Sequence, residues 1–177
     1  MFDYDIVPYM IRMDIALAKA MFYKPNADGS RILSEIQENP ADLSYVGYFC
    51  GQAIEKGLKY FVERYNPLAW DKVKYTHDID TLLDAADECL CGFRQDHADI
   101  SHFSRNITCL KNMRYVVSSI SKDDAFYVMG LARNLFAEVE KDFDKEIPDR
   151  KQMRTEEKDH YERRKVIRFK RPMEYGD

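Results

Sequence analysis

The strongest constraint on the fold is an apolar repeat between residues 125 and 143. Apolar side chains recur three and four positions apart at Ala125, Val128, Met129, Ala132, Leu135, Phe136, Val139 and Phe143. This spacing places them along one side of an α-helix, where they can face a core. The 177-residue chain contains only seven Gly and six Pro, so few positions interrupt such helices. We therefore expect an all-α fold.

Comparable patterns predict helices over about residues 3–23, 41–65, 76–91, 96–120 and 122–145. The core-facing stripe of the first helix is expected at Ile6, Met10, Met13, Leu17 and Met21. Thr76 is the expected N-cap of the third helix. Consecutive helices joined by short connections pack as antiparallel neighbours. We predict an up-and-down bundle of four to five helices in residues 1–147, followed by a charged, mildly basic extension over residues 148–177.

The predicted extension differs in charge from the rest of the chain. Residues 147–177 hold 10 basic and 7 acidic side chains, whereas the whole chain carries a net charge of −4. An acidic body argues against a general nucleic-acid-binding protein, so any such contact has to be local. The extension is either a surface arm or a basic contact for a protein partner or for RNA phosphates.

Several functional classes are disfavoured by the sequence. No apolar run approaches the roughly 18–20 residues of a membrane-spanning helix. Asp3 and Asp5 stand near the N-terminus, where a signal peptide would carry Lys or Arg. We therefore expect a cytoplasmic protein without membrane contact.

The cysteines do not form a convincing metal site. Cys50 and Cys109 fall on apolar stripes and are expected to be buried thiols. Cys89-Leu-Cys91, followed by His97 and His102, offers four zinc-type ligands. The cysteines are too close in sequence for the usual ligand spacing, however, and no second pair follows. We expect neither a metal nor another cofactor.

The segment GQAIEKGLKYFVERY, residues 51–65, has two contrasting faces. Apolar residues at helical spacing lie on one face: Ala53, Ile54, Gly57, Leu58 and Phe61. Polar residues at the same spacing lie on the other: Gln52, Glu55, Lys56, Lys59 and Glu63. The polar face is either exposed to solvent, with Glu55 and Lys59 as a helical ion pair, or the border of a cleft.

Four stretches, taken in order, resemble the HEPN domain family, and in particular its nucleotidyltransferase-associated branch. They are the first helix with Leu17-Ala18-Lys19-Ala20, GQAIEKGLKYF (51–61), THDIDTLL (76–83) and MRYVVSSISKDDAFYVMGLA (113–132). The resemblance covers about residues 8–145. It implies a helical bundle that pairs with a second copy, so that polar residues of both copies surround a shared cleft.

The resemblance also implies a ligand and a partner. The candidate cleft residues are Gln52, Glu55, Lys56, His77, Arg105, Asn106, Arg114 and Tyr115. The implied ligand is a nucleotide or RNA, and the implied partner is a separately encoded nucleotidyltransferase-like protein in a toxin–antitoxin setting. A homodimer is further favoured by aromatic residues that widen the apolar arc beyond the needs of one core: Tyr45, Tyr48, Phe49, Tyr60 and Phe126.

The sequence departs from the family's ribonucleases at the catalytic position. Those enzymes carry an Arg followed four to six residues later by a His, which exchanges the proton of a ribose hydroxyl. Here Leu110 follows Arg105, and Ser118 and Ser119 follow Arg114. We therefore favour a non-catalytic binding module. The alternatives are a ribonuclease with a variant site, in which His77 or His102 supplies the base, and a purely structural helical subunit.

Overall fold

The computed structural model describes residues 6–23, 40–111, 120–143 and 145. The described residues form seven helices and confirm the predicted all-α class. The helices are α1 (Val7–Phe22), α2 (Pro40–Tyr65), α3 (Pro67–Val73), α4 (Ile79–Asp87), α5 (Phe93–Asp96), α6 (Ala98–Lys111) and α7 (Lys122–Phe143). The predicted extension over residues 148–177 lies outside the described residues.

α1, α2 and α7 begin and end within a few residues of their predicted positions, and α6 begins close to its predicted start, whereas its predicted end near residue 120 follows residues 112–119, which lie outside the described residues. The connections contain two short helices that were not predicted. Asn66-Pro67 ends α2, as expected, and also starts α3: the Asn66 side chain accepts a hydrogen bond from the backbone N–H of Ala69 at 3.0 Å. α5 follows Gly92, whose positive φ of 85° suits a residue without a Cβ. Four- and seven-residue helices are too short to leave a periodic apolar pattern.

Asp78, rather than the predicted Thr76, is the N-cap of α4. The Asp78 carboxylate accepts a hydrogen bond from the backbone N–H of Asp80 at 3.1 Å. The Thr76 hydroxyl accepts instead from the backbone N–H of Asp78 at 3.2 Å. Both residue types are good caps, and an interval of two residues separates them, so sequence preference alone does not decide between them.

α2 is the central helix and packs against α1, α3, α4, α6 and α7. The apolar face predicted for residues 51–65 is buried, and so is most of the apolar stripe of α7. At Gly57 the two helices approach closely: a Cβ atom there would lie 2.8 Å from Leu135 Cδ2. Both stripes therefore face a common core, and Gly57 permits the short distance between α2 and α7.

The apolar stripe predicted for α1 is wrong at four of its five positions; the fifth, Met21, is partly buried and packs against the core. Ile6, Met10, Met13 and Leu17 are exposed, and the buried face of the helix consists instead of Val7, Ile11, Ile15, Ala18 and Phe22. α1 carries apolar residues on two sides, so its pattern does not show which side packs against the core.

None of the described helices combines the length and the apolar character that a membrane crossing requires.

Candidate functional site

The polar residues of α2 are largely buried, which argues against the first of the two alternatives, a face exposed to solvent. Glu55, Lys59 and Glu63 are each less than a tenth exposed, and Lys56 is half-buried. Helices surround α2, so even its polar side meets other parts of the chain. A buried charge is costly unless it is paired and hydrogen-bonded. The partners of these side chains therefore define what this surface can do.

Glu55, Lys59 and His77 form one connected group, called here the Glu55 cluster. Lys59 Nζ donates a hydrogen bond to Glu55 Oε1 at 2.8 Å, one helical turn away on α2. His77 Nδ1, on the segment before α4, lies 2.9 Å from the same oxygen. Glu55 and Lys59 are buried, whereas the His77 side chain is 71% exposed. The cluster thus extends from the core to an exposed imidazole.

The contact with Glu55 orients the ring of His77. A carboxylate only accepts hydrogen bonds, so in the neutral ring Nδ1 carries the hydrogen and Nε2 is the basic nitrogen. A carboxylate that holds an imidazole in one tautomer is the arrangement found behind metal-binding and proton-transferring histidines. Chemically, this ring can accept a hydrogen bond, donate one when protonated, or transfer a proton.

Lys56 forms a second ion pair beside the Glu55 cluster. Its Nζ donates to Asp14 Oδ2 on α1, and both side chains are largely buried. Burial raises the pKa of the Asp14 carboxyl, and the hydrogen bond and charge of Lys56 oppose that increase. Burial raises the pKa of the nearby Cys50 thiol to about 12, and the negative charge of Asp14 makes a smaller contribution in the same direction. Lys56 therefore binds α1 to α2 rather than pointing freely into a cleft.

A third polar group joins α4, α5 and α6. Asp80 accepts hydrogen bonds at 2.6 Å from the Ser104 hydroxyl and from the Arg94 guanidinium, and Arg94 also donates to Asp84 at 2.6 Å. The hydrogen bond from Ser104, followed by the hydrogen bond and charge of Arg94, lowers the pKa of Asp80 despite partial desolvation. The charge of Arg105 adds a smaller contribution in the same direction.

The remaining predicted site residues do not all join these groups. Arg105 is exposed and lies close enough to Asp80 to affect its pKa, while Asn106 is exposed beside it on α6. Gln52 is half-buried on α2. Arg114 and Tyr115 lie outside the described residues. The structure therefore connects Glu55 with His77 and Lys56 with Asp14.

A polar group built around a buried ion pair at the end of α2, called here the Asp142 cluster, was missed by the sequence analysis. Asp142 Oδ2 lies 2.9 Å from Arg64 Nε and accepts a hydrogen bond from the Tyr60 hydroxyl at 3.2 Å. Asp142 Oδ1 accepts from the Tyr65 hydroxyl at 2.7 Å and lies 3.0 Å from Lys145 Nζ. Tyr60, predicted to contribute to a dimer surface, is completely buried here.

Two further features are candidates for a site: an open surface depression and the Cys and His residues near it. An open depression of about 530 Å³ is lined by Asp87, Gly92, Arg94, Gln95, Ala98, Ser101 and His102. Within the part of the chain that the structure describes, no three His, Cys, Asp or Glu side chains are grouped so that they could hold a metal ion. Cys89 and Cys91 are exposed thiols, and His97 is buried with its Nε2 3.2 Å from Glu138 Oε2.

Comparisons with known proteins do not assign the chain to a family. No family model matches the chain, and neither the curated proteins nor the solved structures yield a match.

Proposed function

We propose that this protein is a non-catalytic HEPN-like module that binds a nucleotide or an RNA end and works as a homodimer. The observation that carries the proposal is the exposed imidazole of His77, oriented through Nδ1 by buried Glu55. A side chain fixed before the ligand arrives loses little conformational freedom on binding. The ring can accept a hydrogen bond from a ribose hydroxyl or, when protonated, donate one to a phosphate.

The fate of the other charged groups favours binding over cleavage. Lys56 and Lys59 are committed to Asp14 and Glu55, so neither is an independent phosphate-binding charge. Leu110 stands where the family's ribonucleases carry a His after the first Arg. Of the two histidines that most closely precede this position, His97 is buried beside Glu138 of α7, and His102 is exposed at the open depression. A single oriented imidazole is sufficient for recognition, whereas the usual cleavage also requires the missing catalytic His.

The up-and-down arrangement of the HEPN bundle is part of the proposal. Contacts between opposite ends of helices support it. Arg12, early in α1, pairs with Glu140, late in α7, while the Phe22 ring at the end of α1 lies 6.1 Å from the ring of Phe126 near the start of α7. The same antiparallel relation holds for α6 and α7. His97, just before α6, lies beside Glu138 late in α7, and Phe103, within α6, lies beside Tyr127 early in α7.

A protein partner and a cytoplasmic location complete the proposal. The resemblance implies a nucleotidyltransferase-like partner of the toxin–antitoxin type. If a nucleotidyltransferase gene lies beside this one, co-purification of the two proteins tests the pairing. The exposed thiols of Cys89 and Cys91 suit a reducing compartment, where thiol–disulfide systems keep such groups reduced.

The test is ligand-induced thermal stabilisation of the full chain with nucleotides and short RNAs. A ligand at about 100 times its Kd stabilises the folded state by about 2.7 kcal/mol, which is readily measured as a rise in Tm. We expect His77→Ala to abolish this rise and Glu55→Gln to reduce it. Tyr75→Ala is the matched control, because Tyr75 is exposed two residues from His77. If no nucleotide or RNA stabilises the wild-type chain, the structural-subunit alternative replaces the proposal.

The second candidate function, a ribonuclease with a variant site, is favoured by the same pair of residues. An imidazole held by a buried carboxylate resembles a general base with its orienting group. The discriminating measurement is cleavage of labelled RNA by micromolar protein in the presence of chelator. We expect no cleavage. Activity that disappears in both His77→Ala and Arg114→Ala, but persists in Tyr75→Ala, would establish the enzyme instead.

A further inference from the structure

The outer face of α1 is apolar and exposed over most of the helix. Ile6, Tyr9, Met10, Met13 and Leu17 are each between 37% and 65% exposed, although the opposite face of the same helix is buried in the core. Half of the exposed large hydrophobic side chains of the described residues lie on or next to this one helix. A contiguous exposed apolar surface of this kind marks an interaction site more often than scattered single residues do.

The spacing of these residues indicates what the face can bind. Ile6, Met10, Met13 and Leu17 are separated by four, three and four residues. This is the repeat of a helix seam that packs against one other helix, as in a coiled coil. Ala16, exposed beside the seam, leaves room for the close approach of a neighbouring backbone. The occupant that fits is therefore a helix with an apolar seam of similar length.

A second copy of α1 fits this description when the two helices run antiparallel about a two-fold axis between Met10 and Met13. Ile6 of one copy then faces Leu17 of the other, and Met10 faces Met13. Every apolar position of the seam meets an apolar position, as an isologous interface requires. The neighbouring charge of Arg12 is neutralised within its own chain by Glu140 at 2.5 Å, so the approach does not bring two unpaired cations together.

The available area is close to what a stable dimer needs. A large apolar or aromatic side chain offers roughly 150–250 Å², so the five partly exposed residues present roughly 450 Å² per copy. Two copies would bury about 900 Å² from these residues alone, just below the lower limit of about 1,000 Å² for a specific interface. The aliphatic part of Arg12 and the surface of Ala16 lie beside the seam and can contribute the remainder.

We propose that two copies of this chain associate through the outer faces of their α1 helices, packed antiparallel along the Ile6–Met10–Met13–Leu17 seam. The inference rests on the homodimer of the proposed function and gives it an interface. This interface differs from the surface predicted from the aromatic residues of the sequence, of which Tyr60 is buried while Tyr45 and Phe126 are exposed.

The experiment is the molar mass of the full chain in solution, measured by light scattering at tens of micromolar. The wild-type chain is expected to have the mass of a dimer, and Met13→Glu that of a monomer. Circular dichroism and Tm should show that the variant is folded, because Met13 is exposed in the single chain. Tyr45→Glu is the matched control: Tyr45 is an exposed apolar residue on α2, 56% exposed, and its substitution should leave the dimer intact.

A pair of complementary charges tests the antiparallel register. Met10→Glu and Met13→Lys should each be monomeric alone, and an equimolar mixture should recover the dimer mass, since these two positions face each other across the axis. A monomeric wild-type chain overturns the inference and the homodimer together. A dimer that survives Met13→Glu overturns only the α1 interface, and its loss in Tyr45→Glu would place the interface on α2 instead. The thermal test of ligand binding is independent of either result.

Discussion

The Glu55 cluster and the Asp142 cluster lie along the same helix and use the same kinds of residues, yet they differ in where they end. In the Asp142 cluster both carboxylate oxygens meet Tyr, Arg or Lys groups of the chain, and the central pair is almost completely buried. In the Glu55 cluster the buried Glu55–Lys59 pair continues to an imidazole that is mostly in solvent. Burial and pairing of charges alone therefore do not identify a functional site. The two clusters differ in the group that reaches solvent: an imidazole, His77, in the Glu55 cluster, and an amine, Lys145, whose side chain is 60% exposed, in the Asp142 cluster.

The largest expected effect is the loss of the enclosed pair. Asp142→Ala leaves the Arg64 guanidinium buried without its counter-charge, and breaking such a pair costs about 3–5 kcal/mol. We expect the free energy of unfolding, measured with urea, to fall by this amount. Arg64→Ala should be similarly severe. His77→Ala, which removes only the exposed end of the Glu55 cluster, is the comparison and should change stability by less than about 0.5 kcal/mol.

A loss below about 1 kcal/mol in Asp142→Ala would contradict the view that this cluster is the structural one.

An intermediate effect, with a definite pH dependence, is expected for Lys56→Met. The folded-state pKa of Asp14 is raised, so its contribution to stability is present below its unfolded pKa of about 3.9 and is lost as pH rises through the folded pKa. Removing Lys56 removes the interactions that lower the pKa of Asp14. The free energy of unfolding should therefore fall more strongly as pH rises than it does in the wild-type chain. Urea unfolding at pH values from about 4 to 7 measures the slope.

The additional substitution Asp14→Asn is the control for Lys56→Met. Because Asn does not titrate, the Lys56→Met/Asp14→Asn double variant should lose the additional pH dependence of the free energy of unfolding. The packing of α1 against α2 should be the same in both variants. If the slope persists, another carboxyl is responsible.

Asp80→Asn should act in the opposite direction and more weakly. The folded-state pKa of Asp80 is lowered by Ser104 and Arg94, so its contribution is present above the unfolded pKa and is lost as pH falls through the folded one. The variant should therefore show a flatter stability profile below about pH 4. The effect is small because the pair is partly exposed and screened by solvent. An unchanged acid profile, compared with that of Asp84→Asn, would contradict this assignment.

The smallest effect concerns thiol reactivity and reports on the closure of α1 over α2. With a pKa of about 12, the Cys50 thiol is almost entirely protonated at pH 8, and it is buried as well. In a Cys109→Ser background, a thiol reagent should modify Cys89 and Cys91 rapidly and Cys50 only on unfolding. Lys56→Met should accelerate labelling of Cys50 severalfold if the Lys56–Asp14 pair holds the two helices together, whereas His77→Ala should not.

The sequence predicted α2 and α7 well because each has one dominant apolar stripe between clear end signals such as Asn66-Pro67 and Ser121. It failed on α1, where Ile11 and Met10 mark two equally apolar faces and only packing selects one. Glu55 and His77 were identified as candidates, but their contact joins separate elements and has no local pattern. Asp142 lies 82 residues from Tyr60, so the sequence offered no signal for their hydrogen bond.

The close contact at Gly57 has a consequence for the polar end of α2. Gly57 and Leu135 approach closely between α2 and α7. One to two turns further along the helices, Tyr60 and Arg64 of α2 reach Asp142 of α7. Hydrogen bonds of this kind need donor–acceptor distances of about 2.7–3.2 Å, so they depend on the separation of the two helices. The missing Cβ of Gly57 therefore affects the distances from Tyr60 and Arg64 to Asp142, although Gly57 contacts none of these groups. The stability that this buried ion pair contributes depends on the absence of a side chain at position 57.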